Sequence, residues 1–258
     1  MAKGRTVLLT GGGGIIGRAM TVELTNAGHR VAVVDRDLAL ATAAAGQVDD
    51  AAARPYECDI TDRDALTTLR DHVESDFGPV SALICNAATK SENFFDPFPV
   101  FPLEDWNEVL ATNLTGPMLC AQVFGEPMAT ANDGVIVNVL SIYGIVAPDQ
   151  RIYDGSEYEG RPINTPAVYS ASKAGLWGLT KYLASYWGST GVRVNAITPG
   201  GVFSGQNETF VDAYSQRTML GRMARAEEIA AATAFLVSEG AAYVTGQNLV
   251  VDGGLTAW

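Results

Sequence analysis

The sequence predicts an α/β protein whose parallel sheet carries helices on both faces. Short apolar runs alternate with longer helical patterns from end to end, and seven of the runs have the length of strands. No stretch resembles a linker, an internal repeat or a low-complexity tract. The 258 residues are 47% hydrophobic and 18% charged, which suits one large core. We therefore expect a single doubly wound domain over residues 1–258.

The first half of the chain shows the alternation clearly. A run bounded by glycine predicts the first strand, and the helix after it ends at Gly28, which takes the C′ position. Thr61 or Asp62 caps the third helix, and Gly78-Pro79 ends it. The predicted strands are 6–10, 30–35, 54–58 and 80–85, and the predicted helices are 15–27, 38–46 and 62–77.

The second half has longer connections. A proline-rich and phenylalanine-rich loop over 87–102 precedes a helix over 103–130, which we expect to kink or break at Gly116-Pro117. Proline lies in the first turn of the next long helix. The remaining predictions are strands 134–141, 192–198 and 247–251, helices 166–187 and 226–237, an irregular segment 142–165 and a mixed loop 200–221.

Composition excludes several classes of protein. Net charge is −12, with 17 basic against 29 acidic residues, which argues against nucleic acid or an anionic membrane as partner. No apolar run approaches the roughly 18 residues of a membrane span, and the start lacks a secretory h-region. The cysteines, Cys58, Cys85 and Cys120, are widely spaced without CxxC, which is typical of reduced core thiols in a cytoplasmic protein. His29 and His72 have no metal-ligand neighbours, so we expect no metal site.

A glycine-rich turn, Thr10-Gly11-Gly12-Gly13-Gly14-Ile15-Ile16-Gly17, joins the first strand to the first helix. In that context glycines let the backbone approach a pyrophosphate, and the helix N-terminus offers N–H groups and a positive dipole end. A tight turn without a ligand is the alternative. Asp35 ends the second strand about 20 residues later, where a carboxylate binds ribose hydroxyls and repels a 2′-phosphate. The sequence therefore favours NAD, while nearby Arg18 and Arg36 keep NADP as an alternative.

Tyr169 and Lys173 lie one helical turn apart. Residues i and i+4 share a helix face, so the ammonium can sit beside the phenol. A free tyrosine has a pKa near ~10, and a neighbouring positive charge lowers that pKa toward working pH. The spacing alone equally fits an ordinary surface pair. Together with the glycine turn, it predicts acid/base chemistry beside a dinucleotide.

With these motifs the chain resembles the single-domain short-chain dehydrogenase/reductase family from Thr6 to its last turn. Further matching motifs are Asp59, Asn86-Ala87-Ala88, Asn113, Asn138-Val139-Leu140-Ser141, Pro199-Gly200 and Asp252-Gly253-Gly254. The resemblance implies a Rossmann-like seven-stranded fold, NAD or NADP as cofactor, and a homotetramer or homodimer. It assigns catalysis to Asn113, Ser141, Tyr169 and Lys173. It assigns cofactor binding to Gly11, Gly14, Ile15, Ile16, Gly17, Asp35, Arg36, Asp59, Ile60, Asn86, Ala87, Tyr169, Lys173, Pro199, Gly200, Val202 and Ser204.

Four departures from the family pattern stand out. Ile15 replaces the second glycine, Ala88 replaces the glycine of Asn-Ala-Gly, and Ser204 replaces a threonine that contacts the carboxamide. The largest is the stretch between Ser141 and Tyr169, about twice the family norm. We expect segment 142–165 to lie over the substrate pocket and segment 200–221 to act as its mobile lid.

The resemblance implies NAD(H)-dependent interconversion of a secondary alcohol and a ketone. Tyr169 would transfer the proton and Ser141 would orient the reacting oxygen. Lys173 would lower the pKa of Tyr169 and hold the nicotinamide ribose, and Asn113 would position a water that passes protons. A non-catalytic dinucleotide sensor or scaffold and an NAD-retaining sugar epimerase or dehydratase are the alternatives.

Substrate recognition is predicted from segment 142–165, whose polar and aromatic residues suit a hydroxyl-rich or charged substrate. The predicted substrate contacts are Ser141, Tyr143, Arg151, Tyr153 and Tyr169, with Arg151 as an anion contact. The run from Ser141 is similar to a subgroup associated with bacterial surface sugars, including nonulosonate-type flagellin modification. An oligomer-forming role for this segment is the alternative.

Overall fold

The structure of the protein, a computed structural model, describes residues 4–158 and 160–258. A parallel sheet of seven strands forms its centre: β1 Thr6–Thr10, β2 Arg30–Asp35, β3 Ala53–Glu57, β4 Ala82–Cys85, β5 Gly134–Val139, β8 Val192–Pro199 and β9 Asn248–Val251. Their order in the sheet is β3-β2-β1-β4-β5-β8-β9. This confirms the predicted fold class, a doubly wound parallel sheet.

Helices cover both faces of the sheet. They are α1 Ile15–Asn26, α2 Leu38–Ala45, α3 Arg63–Phe77, α4 Leu103–Leu110, α5 Gly116–Cys120, α6 Glu126–Ala131, α7 Ala167–Trp187, α8 Glu208–Ser215 and α9 Ala226–Val237. Strand side chains alternate between the two layers, because successive residues of a strand point to opposite faces. Leu8 packs in the core that includes Trp187, whereas Val7 and Leu9 pack in the core that includes Ile229.

The strand order reverses at β1, which pairs with β2 on one side and with β4 on the other. The connections from these strands leave in opposite directions, so a crevice opens at their carboxyl ends. The glycine-rich turn follows β1 at this place, and Asn86 follows β4. The topology therefore brings the motifs found along the sequence to one edge of the sheet.

The kink or break predicted at Gly116-Pro117 takes the form of an irregular turn and not of a gap in the helix. The chain stays helical from Leu103 to Ala131, passing through wide π-helical turns at Ala111–Thr115 and Ala121–Gly125. Pro117 has no N–H to donate within the helix, and the π turn before it changes the hydrogen-bond spacing at that point. A Cβ on Gly116 would lie 2.6 Å from Ile60 Cδ1, so glycine permits close packing there.

Two segments that the sequence predicts as irregular or as a mixed loop contain short strands or a short helix. Segment 142–165 includes an antiparallel hairpin of β6 Glu157–Tyr158 and β7 Arg161–Pro162. Segment 200–221 includes α8. Both elements are short and lack a long hydrophobic period, so the sequence pattern did not reveal them.

Several strand boundaries also differ. The strand predicted over 54–58 runs from Ala53 to Glu57, that predicted over 80–85 begins at Ala82, and that predicted over 134–141 ends at Val139. Cys58, Cys85 and Cys120 are buried free thiols, as predicted. Among the described residues, no helix is both long enough and apolar enough to cross a membrane.

Candidate active site

Lys173 lies on α7, and its ammonium reaches under the carboxyl end of β5. Its Nζ donates a hydrogen bond of 2.8 Å to the Val139 carbonyl, and the residue is 3% exposed. Burial penalises the charged form, which lowers the pKa of Lys173 to about 8. A lysine with this pKa exchanges protons near neutral pH.

Tyr169 lies one turn earlier on α7, and its ring packs edge-on against Phe94 with the centroids 6.2 Å apart. Lys173 Nζ lies 5.9 Å from the centroid of the Tyr169 ring. Burial raises the pKa of Tyr169, and a hydrogen bond with the Ser141 side chain opposes that rise. The direction is opposite to the one predicted from the Tyr–Lys spacing, because desolvation of the phenolate is the largest effect on this side chain.

Ser141 follows β5 in an extended conformation and is buried. Its hydroxyl oxygen accepts a hydrogen bond of 3.2 Å from the Tyr143 N–H and interacts with Tyr169. Ser141 thus begins segment 142–165 and also faces the tyrosine.

Asn113 lies in the π turn before Pro117 and is fully buried. Its Oδ1 accepts a hydrogen bond from the Thr89 N–H at 3.0 Å, and its Nδ2 donates to Ser172 Oγ at 3.3 Å. Ser172 Oγ in turn donates to the Tyr169 carbonyl at 2.8 Å. Asn113 is therefore tied to the helical turn that carries Tyr169 and Lys173.

A cavity of about 780 Å³ opens beside these residues. Its walls include Ser141 and Tyr169, together with residues of segments 142–165 and 200–221. The structure thus brings Ser141, Tyr169, Tyr143 and Tyr153 to one cavity.

The glycine-rich turn packs too tightly for side chains. Gly11 has a φ of +62°, and a Cβ there would lie 2.6 Å from Ala87 Cα. A Cβ on Gly17 would lie 2.4 Å from the Gly11 carbonyl oxygen. Gly14 precedes α1 without a side-chain cap, and Ile15 is 52% exposed. The exposed start of α1 therefore offers its backbone N–H groups to an anion.

A smaller cleft of about 220 Å³ lies beside the turn, and six of the predicted cofactor contacts line it: Gly11, Asp35, Arg36, Asp59, Ile60 and Ala87. The Asp35 carboxylate accepts hydrogen bonds from the Gly13 and Asp37 N–H groups at 3.1 and 3.2 Å. Hydrogen bonds from the side chain and backbone of Thr61 lower the pKa of Asp59. Both carboxylates are thus available as acceptors at the cleft.

Asn86 connects the turn to β4. Its Nδ2 donates to the carbonyls of Thr10 and Gly11 at 3.2 and 2.8 Å. Thr10 Oγ1 accepts from the N–H groups of Asn86 and Ala87 at 3.1 and 3.2 Å. These hydrogen bonds join the glycine-rich turn after β1 to the residues that follow β4.

Residues 199–204 form the far side of the crevice. Pro199 ends β8, and the Gly200 N–H donates to the Val251 carbonyl at 2.9 Å. Gly200, Val202 and Ser204 line the large cavity. The Tyr214 hydroxyl accepts a short hydrogen bond from the Gly201 N–H, so α8 is attached directly to this segment.

The predicted anion contact Arg151 points elsewhere. Its guanidinium makes two hydrogen bonds to the Asp149 carboxylate, at 2.8 and 2.7 Å, and its side chain is 84% exposed. These bonds lower the pKa of Asp149 to about 2. Arg217 pairs with the same carboxylate. Arg151 therefore pairs with Asp149, two residues away, whereas the sequence predicted that it pairs with an anionic group of the substrate.

The sequence did not reveal several groups that form hydrogen bonds with the predicted catalytic residues. Thr89, Ser172 and the Val139 carbonyl hold the predicted catalytic residues, yet a backbone carbonyl or a lone serine gives no sequence signal. A Cβ on Gly144 would lie 2.8 Å from the Lys173 carbonyl carbon, so segment 142–165 begins in direct contact with α7. The Gly in Ile142-Tyr143-Gly144 is the one signal that could have indicated this contact.

The fold and this site define a dinucleotide-binding oxidoreductase with a Tyr–Lys helix. A family profile described as enoyl-(acyl carrier protein) reductase matches residues 14–256. The chain is 35% identical over 260 residues to D-threitol dehydrogenase of Mycolicibacterium smegmatis, covering 98% of this chain and 93% of that protein.

Two solved structures are similar throughout. A short-chain dehydrogenase from Leptospira borgpetersenii with bound NAD+ has a TM-score of 0.86 and 34% identity, covering 98% of this chain and 93% of that one. A gluconate 5-dehydrogenase from Burkholderia cenocepacia, in complex with NADP and tartrate, has a TM-score of 0.86 and 28% identity, covering 99% and 96%. The chain belongs to the short-chain dehydrogenase/reductase family and is an NAD(P)-dependent oxidoreductase.

Proposed function

We propose that the protein interconverts a secondary alcohol and a ketone on a sugar-like substrate, with NAD as the preferred cofactor. The observation that carries this proposal is the cavity in which Ser141 and Tyr169 meet, next to the buried Lys173. The similarity to D-threitol dehydrogenase supports a polyhydroxylated substrate.

In the proposed reaction Tyr169 takes the hydroxyl proton of the alcohol or gives it to the ketone. Ser141 orients the same oxygen by a hydrogen bond. Lys173 accepts or supplies the proton beyond Tyr169, because its lowered pKa of about 8 makes both forms accessible. Pro117 cannot donate to the Asn113 carbonyl, which supports Asn113 as the residue that orients a water leading to solvent.

The residues present fit a dinucleotide. The uncapped start of α1 suits a pyrophosphate, and Asp59 suits the adenine. A bound nicotinamide would supply the hydride acceptor or donor. Residues 199–204 would hold its carboxamide side, with Ser204 replacing the usual threonine.

Asp35 supports NAD over NADP, since it lines the cleft proposed for the adenosine and its charge would repel a 2′-phosphate. Arg36 lines the same cleft, and its positive charge favours the 2′-phosphate of NADP. Asp35→Asn keeps an acceptor and removes the charge, so we expect the ratio of kcat/KM for NADP+ to that for NAD+ to rise about tenfold or more. Steady-state kinetics with both cofactors measure this ratio, and an unchanged ratio would contradict the role of Asp35.

Segment 142–165 is proposed to form the substrate wall and segment 200–221 the lid, within one domain. The hydroxyl network from Tyr153 to Tyr143 and Thr165 supports the first role. The buried free thiols support a reducing cytoplasmic compartment. Exposed apolar side chains on the long helices, including Tyr182 and Tyr186 of α7, support assembly into a dimer or tetramer.

The test is reduction of NAD+ and NADP+ by the purified protein with a panel of polyols, free sugars, hydroxy acids and nucleotide-linked sugars. We expect turnover with polyhydroxylated secondary alcohols. A surface-sugar arm of the panel, with nonulosonates, tests the subgroup that the run from Ser141 resembles. Absence of turnover across the panel in both directions would contradict the proposed function.

A further inference from the structure

The cavity beside Tyr169 has walls rich in hydroxyl and amide groups. They include Thr89, Tyr143, Tyr153, Asn164, Thr165 and Asn207. Such groups both donate and accept hydrogen bonds, so they suit a ligand with many hydroxyls. The volume of about 780 Å³ accommodates chains longer than four carbons.

Two charged side chains of opposite sign line the described part of this cavity, Lys90 and Glu157. Lys90 Nζ lies 5.5 Å from the centroid of the Phe95 ring, which is on the wall formed before α4. Glu157 begins β6, on the wall formed by segment 142–165. One positive and one negative group leave the described walls without net charge, so they give an anion little electrostatic gain.

The surroundings of Glu157 add further negative charge. Glu157 also lines an adjoining cavity, whose described walls include Asp96 and Asp154 and no lysine or arginine. Tyr153, Asn164 and Thr165 form part of the partition between the two cavities. An anionic substrate would therefore meet repulsion on this side of the pocket.

The backbone of Glu157 is held in place. Ser156 is 2% exposed, and its Oγ donates to Asn207 Oδ1 at the start of α8, at 3.4 Å. Pro162 faces Glu157 in the hairpin, and Gly155 and Gly160 each have a φ of +74°. Among the described residues, the Glu157 carboxylate has no hydrogen-bond or ion-pair partner. A carboxylate on a held backbone, with both oxygens available, can accept from two adjacent hydroxyls.

We infer that Glu157 is a specificity residue that binds a vicinal pair of hydroxyls, and that the substrate is an uncharged polyol rather than an aldonate. The inference rests on the proposed function. In the oxidation the polyol carbinol becomes a ketone, its hydride goes to NAD+ and its hydroxyl proton goes through Tyr169 to solvent. Glu157 takes no part in these bond changes and contacts the end of the polyol remote from the reacting carbon.

The test compares matched pairs that differ in one terminal group, galactitol with galactonate and threitol with threonate. For the unaltered protein we expect kcat/KM with NAD+ to favour each polyol by about tenfold or more, since a hydrogen bond to a charged group contributes roughly 1.5 kcal/mol or more. A preference for the aldonates would overturn the inference and assign the cavity to anion binding at Lys90.

Glu157→Gln keeps the shape and removes the charge. We expect KM for the polyols to rise about tenfold with kcat within twofold, and the preference for polyol over aldonate to fall. Glu227→Gln, on the exposed start of α9, is the matched control and should change neither parameter. Polyol turnover with an unchanged KM in Glu157→Gln would overturn the inference alone, whereas absence of turnover in the unaltered protein would overturn the proposed function as well.

Discussion

At the scale of single residues, the site combines two buried titratable groups whose pKa values shift in opposite directions. Burial raises the pKa of Tyr169 and lowers that of Lys173 to about 8. Both shifts arise because the interior disfavours the charged form of each group. The lysine is therefore the group whose protonation changes near neutral pH, and the tyrosine stays a protonated donor until a positive charge or a substrate approaches.

Replacement of Tyr169 by phenylalanine removes the group that carries the proton and leaves the ring packed against Phe94. We expect kcat to fall by about 10²- to 10⁴-fold while the Kd for NADH is unchanged. Initial-rate assays measure kcat, and fluorescence titration with NADH measures its Kd. Tyr243→Phe, at an exposed position outside the long helices, is the control and should keep full activity. Full turnover in Tyr169→Phe would refute the assignment of the proton donor.

The lowered pKa of Lys173 predicts how the rate of alcohol oxidation depends on pH. The neutral amine accepts the proton that leaves Tyr169, so we expect kcat/KM for oxidation to rise with pH through about 8 and then level off. Lys173→Arg keeps a positive charge that does not titrate in this range. The variant should therefore lose the inflection near pH 8, as seen in a profile from pH 6 to 10. A profile that is the same in both proteins would show that another group titrates.

The same shift has a consequence for stability. Because the folded pKa of Lys173 lies below its unfolded pKa, the unfolded chain holds the extra proton between about pH 8 and 10.5. Burial of the charged amine costs stability below pH 8, and this cost is relieved as pH rises through that window. The contribution of Lys173 to the free energy of unfolding thus rises with pH.

At the scale of elements, segment 142–165 and α8 hold each other over the cavity. The Tyr153 ring stacks on Phe210 of α8 with centroids 5.5 Å apart and an angle of 15°. Phe210 also contacts Tyr214, whose hydroxyl accepts from the Gly201 N–H. These side chains form a small core separate from those on the two faces of the sheet. A small separate core allows α8 to open without unfolding the sheet.

Phe210→Ala should release α8. We expect its amides to exchange hydrogen faster while those of β1, β4 and β5 are unchanged, and KM for substrate to rise severalfold. Hydrogen exchange followed by mass spectrometry measures the first effect. Phe235→Ala, at a half-exposed position on α9, should leave α8 protected. Equal acceleration across the sheet would mean that α8 is part of the global unfolding unit.

At the scale of the whole molecule, two apolar layers enclose the sheet and stabilise the crevice at the carboxyl ends of its strands. The central strands are buried on both faces, and the β1 residues are fully or almost fully buried. The rigid sheet thereby fixes the distance between the glycine turn after β1 and the proposed catalytic residues beyond β5. Loss of packing in the core would act on both parts of the site at once.

Leu8→Ala should lower the free energy of unfolding by about 2 to 5 kcal/mol, because it leaves a cavity in the fully buried centre of the sheet. Urea unfolding at one protein concentration measures this value. Leu38→Ala, where the side chain is 44% exposed on α2, should cost about 0.5 kcal/mol or less. Similar losses in the two variants would contradict the assignment of Leu8 to the core.

Patterns that repeat along the chain were sufficient for much of this protein. The alternation of apolar strands and helices determined the doubly wound sheet, and the glycine turn with Tyr169 and Lys173 indicated a dinucleotide site with acid/base chemistry. The fold class and the NAD(P) cofactor were predicted correctly because strand burial, helix faces and phosphate turns depend on residues that are neighbours in sequence.

Only the tertiary structure decided which groups surround those residues. It paired Arg151 with Asp149, buried Tyr169 so that its pKa rises, joined Asn113 to Ser172, and brought Glu157 and Lys90 to one cavity. Desolvation and long-range hydrogen bonds depend on which segments meet in space. The local sequence does not indicate these contacts when they come from backbone carbonyls or from short elements without a hydrophobic period.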